Sequence, residues 1–178
     1  TTNMSINNKF ILASTSKSRI FILKKINLNF KTLKPICKES TYQKQFIKLK
    51  YTPKKISVEL SKLKANSVSH KTKNELVIGS DTVIEYNGKL IKKANNVLEA
   101  QKKLKKLSGK KHRIISSFAA YFNKKLIYFA SEKTVVKIRK LSDEEIKKYL
   151  ISCGPQILRS VGCYQIETKG PIVIENIQ

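Results

Sequence analysis

One stretch limits the architecture more than any other: Leu76-Val-Ile-Gly-Ser-Asp81-Thr-Val-Ile84, an apolar run of strand character with a carboxylate inside it. An unpaired charge is expensive to bury. Such a run therefore needs a cation beside Asp81, a metal, or an open strand end where the carboxylate can sit. Only two of the twelve acidic residues are aspartates. The other, Asp143, falls in the first turn of a predicted helix, where it complements the helix dipole. Read alone, Asp81 is compatible both with a buried ion pair and with a reaction centre.

Strands and helices alternate around this run. Phe10-Ile-Leu-Ala13 predicts a short buried strand, followed by the small polar run Ser14-Thr-Ser-Lys-Ser18 and a helix over Arg19–Ile26. Strand, small-residue turn and helix is an arrangement in which backbone N–H groups can meet an anion, although an ordinary connecting turn reads the same way. Thr52 and Pro53 form a helix start, with Ile56, Leu60, Leu63 and Ser67 along one face and Lys62 and Lys64 beside it. Asn87-Gly88 is a hairpin signal returning the chain through Lys89 to Lys92. Asn96 caps a helix reaching Leu107, with Gly109 as its stop. His112–Phe122 and Leu126–Ile138 read as long strands joined around Asn123-Lys124. Ser142 and Glu145 form a capping box for a helix to about Ile151, and Ile172-Val-Ile174 reads as a short strand. Glu39 reads as a solvated loop acid, and Lys64, Lys92 and Lys93 are undistinguished by themselves. The economical architecture is a mixed α/β domain with a central, partly antiparallel sheet.

Composition narrows the function classes. The chain has 178 residues, 40% of them apolar, which suits one domain with a core. No apolar run reaches the roughly 18 residues of a membrane span. Residues 1–8 are polar, lack the apolar run of a signal peptide, and are expected to be flexible. The formal charge of +25 invites a nucleic-acid reading. However, only Arg19, Arg113, Arg139 and Arg159 among the 37 basic residues are arginines, the side chain that grips phosphate and guanine at two points. The lysines are spread along the chain with heavy Ile and Asn usage, a pattern of coding bias rather than of a built interface. Cys37, Cys153 and Cys163 form no metal-binding pair and suit reduced thiols.

The order of segments says more than any one of them. Leu12-Ala-Ser-Thr-Ser-Lys-Ser-Arg19, Gly79-Ser-Asp-Thr-Val83, Gly88-Lys-Leu90 with Lys93, Leu107-Ser-Gly-Lys-Lys-His112, Leu141-Ser-Asp-Glu-Glu-Ile-Lys-Lys-Tyr149 and Val161-Gly-Cys-Tyr-Gln-Ile-Glu167 follow one another along the chain. In that order they resemble the motifs of the Maf family of nucleoside triphosphate pyrophosphatases, from Phe10 to Val173. The resemblance implies a mixed sheet flanked by helices, similar to the inosine-triphosphatase fold, with a cleft for the nucleotide. It implies hydrolysis of nucleoside triphosphates to monophosphate and pyrophosphate in the cytoplasm, with a divalent cation such as Mg²⁺ or Mn²⁺, and commonly a homodimer. It assigns Asp81 as the catalytic residue, activating water or helping to hold the metal, and Glu39 as the metal-associated acid. Arg19, Lys64 and Lys93 become phosphate-contacting residues, and Ser14 approaches the nucleotide. Thr82 stands where family members cleaving thymidine and uridine triphosphates have threonine.

Some positions depart from the family pattern. Lys17 and Ser18 replace a proline and an arginine, Ala94 replaces the proline after Lys93, and Leu158-Arg-Ser-Val161 lacks the usual acid and lysine. The sequence stops at Gln178 where family members continue, so the expected catalytic domain, residues 9–178, is read as lacking a final strand and helix. Two rival readings stand beside the enzyme: a basic nucleic-acid-binding module, whose stacking platform would be Tyr121, Phe122, Tyr128 and Phe129, and a non-catalytic regulator of cell division. The first is weakened because alternation along a strand sends neighbouring aromatics to opposite faces, and core packing is expected to absorb half of them. The second would tolerate loss of Asp81.

Overall fold

The computed structural model describes residues 9–159 and 173–178. The expected flexible residues 1–8, the motif Val161–Glu167, Cys163 and Ile172 lie outside the described residues.

The element order is β1 (Phe10–Ala13), α1 (Lys17–Lys25), β2 (Phe30–Thr32), α2 (Glu39–Lys48), α3 (Pro53–Ser69), β3 (Leu76–Tyr86), β4 (Lys89–Ile91), α4 (Val97–Leu107), β5 (Lys111–Phe122), β6 (Lys125–Ile138), α5 (Asp143–Cys153), a 3₁₀ turn (Pro155–Arg159) and β7 (Ile174–Ile177). The strands form one seven-stranded sheet in the order β2-β1-β3-β5-β6-β7, with β4 paired to β3 off this path. The β1 strand runs parallel to β2 and to β3, with Leu12 opposite Thr32 and Ile78. The β3–β4 and β6–β7 pairs are antiparallel. The sheet is therefore mixed and flanked by helices, as the sequence led one to expect.

Local chemistry explains most of these elements. Asn87 and Gly88 both have positive φ, and so do Asn123 and Lys124. That is the requirement of the tight turns closing the β3–β4 and β5–β6 hairpins. Asn96 accepts from the Glu99 N–H at 2.9 Å, and Ser142 and Glu145 form both bonds of the capping box on α5. Two expectations need correction. Glu39 does not lie in a loop; it opens the ten-residue helix α2, placing an acid in the first turn. The inward face of α3 is made of Ile56, Ser57, Leu60, Ser61, Lys64, Ala65 and Val68, so Lys64 lies on the buried face rather than beside it. Among the described residues no helix is long and apolar enough to cross a membrane.

The chain divides into two compact units. The first holds the chain up to Tyr51, Lys55–Asp81 and Ser117–Ser131. Its core joins Ile11, Ala13, Ala65, Val68 and Val77, with Tyr121 packed against them. Here α3 lies directly on β3: a Cβ built on Gly79 would stand 2.3 Å from the Ser61 carbonyl oxygen and 2.6 Å from the Ala65 nitrogen. The second unit holds Thr52–Lys54, Thr82–Ser116 and the chain from Glu132 onward. Its core is larger and aliphatic, built from residues such as Ile84, Ile91, Leu104, Leu107, Val136, Ile138, Ile146 and Leu150.

Candidate active site

Asp81 is only 4% exposed, at the end of the part of β3 that belongs to the first unit. Its cation is Lys64, 7% exposed, whose Nζ lies 3.0 Å from Asp81 Oδ1. The close seating of α3 on Gly79 makes this contact possible, because Lys64 stands in the same turn as Ala65. The hydroxyl of Ser57, two turns earlier, donates to the Asp81 backbone carbonyl at 3.0 Å. The other carboxylate oxygen, Oδ2, is buried and accepts no hydrogen bond from the described residues.

Lys64 also reaches Glu39, with Nζ 3.1 Å from Oε1, and donates to the Ser80 carbonyl at 3.3 Å. Glu39 is brought there by its approach loop. The Ile36 N–H donates to Ser67 Oγ, and Ser67 donates in turn to the Lys64 carbonyl at 2.8 Å. Asp81 and Glu39 thus share one ammonium, although they are distant in sequence.

The first turn adds another cation. Ser14 is buried, and its Oγ accepts from the Ser16 N–H at 3.1 Å and from Arg19 Nη1 at 2.9 Å. Ser16 caps α1 through the Arg19 N–H. The Arg19 pKa is drawn down by burial and held up by Asp81 and Glu39, so its guanidinium lies within the field of both carboxylates. The Asp81 carboxyl is pushed up to about 6, foremost by burial and also by Glu39, against the pull of Lys64 and Arg19. Cys37, a free thiol at the edge of this group, is pushed up by burial first and then by Glu39 and Asp81, while Lys64 opposes them.

The structure therefore brings together Ser14, Arg19, Glu39, Lys64 and Asp81 within the first unit. Thr82 and Lys93 belong to the second unit: Thr82 Oγ1 lies 3.3 Å from Ser116 Oγ, and Lys93 is an exposed residue after β4. Sequence reasoning missed Ser57, Ser67 and Gly79 as positioning residues. The small residues Ser57, Ser61 and Ala65, four apart, were the available signal of a helix made to lie close to a strand.

Two carboxylates against one ammonium and one guanidinium leave this cluster balanced, so the charges of a polyphosphate would need a further cation. Glu39 and Asp81 offer hard oxygen ligands suited to Mg²⁺ or Mn²⁺, including the buried Oδ2 that accepts no hydrogen bond from the described residues. Among the described residues no group of three or more His, Cys, Asp or Glu side chains could hold a metal. Two carboxylates still fit, because Mg²⁺ is often held by one or two carboxylates with water and substrate phosphates. A separate hollow of about 510 Å³ in the same unit is lined by His70, Lys71, Thr72, Lys73, Asn123 and Lys124 and includes none of these site residues.

Comparison with known proteins identifies the scaffold. The family described as Maf-like protein matches residues 9–178. A dTTP/UTP pyrophosphatase of Thermosipho melanesiensis is 37% identical over 94% of this chain and 85% of its own length. A nucleoside triphosphate pyrophosphatase of Pelagibacter ubique is 34% identical over 96% of this chain and 87% of its own length. A 7-methyl-GTP pyrophosphatase of Bartonella quintana is 38% identical over 94% of this chain and 83% of its own length. The match spans both the turn carrying Ser14 and Arg19 and the strand carrying Asp81, and on it the chain belongs to the Maf-like protein family.

Proposed function

We propose that this chain hydrolyses nucleoside triphosphates to the monophosphate and pyrophosphate, using the Asp81 cluster. The observation that carries the proposal is a buried Asp81 joined through Lys64 to Glu39, inside a family whose relatives bear pyrophosphatase names. Asp81 accepts the proton of the attacking water as general base. The water oxygen bonds to the α-phosphorus as the bond from that phosphorus to the bridging oxygen breaks, and pyrophosphate leaves with the electron pair. Arg19 and Lys64 take up phosphate charge, and Ser14 orients Arg19 through its hydroxyl. A divalent cation held by Glu39 and Asp81 would supply charge neutralisation and polarise the phosphoryl group.

Thr82 and Lys93 join this reading through the family resemblance, Thr82 as a determinant of pyrimidine preference and Lys93 as a phosphate contact. The similar relatives carry both pyrimidine and methylated-guanosine names, so the proposal of dTTP or UTP rests on Thr82. A cytoplasmic homodimer belongs to the same reading, and sedimentation of the purified chain checks the assembly.

The test is pyrophosphate release from a panel of nucleoside triphosphates with Mg²⁺ or Mn²⁺, by the wild type and by Asp81→Ala. Release by the wild type alone, fastest with dTTP or UTP, supports the proposal. Equal release by Asp81→Ala would remove Asp81 from the chemistry, and silence across the panel from folded protein would overturn the enzymatic reading.

One observation favours a second activity. Core packing absorbs less of the β5–β6 aromatic group than expected: Tyr121 packs inward, whereas Phe122, Tyr128 and Phe129 are exposed, with Lys62 over the Phe129 ring at 4.4 Å. Stacking of single-stranded nucleic acid there would survive competition by bulk polyanion, whereas attraction by net charge alone would not.

A further inference from the structure

Lys64 donates hydrogen bonds to Asp81 Oδ1 and the Ser80 carbonyl, and its Nζ pairs with Glu39 at 3.1 Å. The charge of its ammonium is met by two carboxylates of the protein without any ligand. Its positive charge lies between the two carboxylates that would hold a cation. Its Cα is fixed, because the helix rests on Gly79 and the Lys64 carbonyl is held by Ser67. The four-carbon stem is the part able to move.

From this arrangement we propose that Lys64 is a latch on the metal site, keeping a divalent cation out until a triphosphate draws the ammonium onto its phosphates. The proposal rests on the function read above and adds an order to it. A cation arriving alone must displace a like charge from the buried Asp81 and the exposed Glu39 and leave the buried ammonium with only the Ser80 carbonyl, which is unfavourable. A triphosphate supplies the new acceptor. Lys64 then exchanges one set of anions for another, and both carboxylates are released together. Cation and nucleotide therefore favour each other's binding, and by linkage the coupling is reciprocal.

The experiment measures Mn²⁺ binding to the whole chain without nucleotide, by the loss of the free-ion paramagnetic resonance signal. Lys64→Gln removes the charge but keeps a donor for Asp81, Lys64→Met removes both, and Lys64→Arg keeps the charge. The latch predicts weak Mn²⁺ binding by the wild type and Lys64→Arg, and binding about tenfold tighter or more by Lys64→Gln and Lys64→Met, within the usual range of coupling. Adding Glu39→Gln to Lys64→Met should abolish the gain. Unchanged or weaker binding by both neutral variants would overturn the latch. So would neutral variants that stay unfolded at millimolar Mn²⁺, since the ion should then replace the lost ammonium. Because nucleotide is left out, the outcome is separate from catalysis: pyrophosphate release with unchanged Mn²⁺ affinity sinks the latch alone, and silence in the nucleotide panel with the predicted gain sinks the enzymatic reading alone.

Discussion

The two units of this molecule bury different kinds of group. The second is held by a broad aliphatic core, and His112 is the one buried polar residue in it among those described. The first has a small core of Ile11, Ala13, Ala65, Val68 and Val77, yet it buries Ser14, Ser57, Ser61, Lys64, Ser69, Asp81 and Ser117. Buried polar groups are tolerated only when paired. Apart from Asp81 Oδ2, the first unit meets that condition with a chain of hydroxyls: Ser61 donates to the carbonyls of Ser57 and Ser117, Ser80 donates to the Ser117 carbonyl, and Ser117 meets Ser131 at 2.8 Å. The lesson is a division of labour. Apolar burial in one unit supplies stability, and the other gives up part of that stability to hold charges in place.

Substitutions in the two units should therefore separate rate from stability. The largest effect belongs to Asp81→Asn, expected to lower turnover about 10²–10⁴-fold, as loss of a general base does. Its melting temperature should fall less than that of Leu104→Ala, since Lys64 keeps Glu39 and the Ser80 carbonyl. Leu104→Ala empties a fully buried position of the second unit and should cost about 2–5 kcal/mol in denaturant unfolding, with near-normal turnover by the protein that remains folded. A Leu104 variant that kept its stability and lost its rate would break the comparison.

Gly79→Ala sharpens it, because its effect should appear in both measurements. The new Cβ meets backbone rather than a yielding side chain, so overpacking should cost about 1–3 kcal/mol. Shifting α3 also moves Lys64 from Asp81, so turnover should fall as well. The smallest effect concerns acid. Burial lowers the His112 pKa from 6.5 to about 4, so the native state binds fewer protons than the unfolded chain between those values. The contribution of His112 to stability should be full above pH 6.5 and decline as the pH falls towards 4, while Asp81, raised from 3.8 to about 6, contributes with the opposite sign between those values. His112→Gln should flatten that decline in melting curves taken across the range, and an unchanged slope would remove His112 as its cause.

Much of this was readable from the chain, and the gaps have physical causes. The caps at Ser142 and Asn96 and the turn at Asn87-Gly88 are local devices in which side chain and backbone settle the outcome within four residues. Asp81 was visible because a carboxylate inside an apolar run has few explanations. The helix α2 was not visible: it lacks a side-chain cap and buries none of its residues, so neither usual signal is present. Lys64 was hidden among the lysines because what distinguishes it is long-range. A missing Cβ at Gly79 and small residues on α3 bring it to Asp81, and no local pattern reports that distance. The family resemblance selected Lys64 and Glu39; the geometry explains what joins them.

The most direct test of the central claim is a single turnover of dTTP or UTP in water labelled with heavy oxygen, followed by mass spectrometry of both products. Attack at the α-phosphorus, as the Asp81 cluster is proposed to perform it, predicts label in the monophosphate and none in the pyrophosphate. Label in pyrophosphate, or release of labelled orthophosphate instead, would contradict the account.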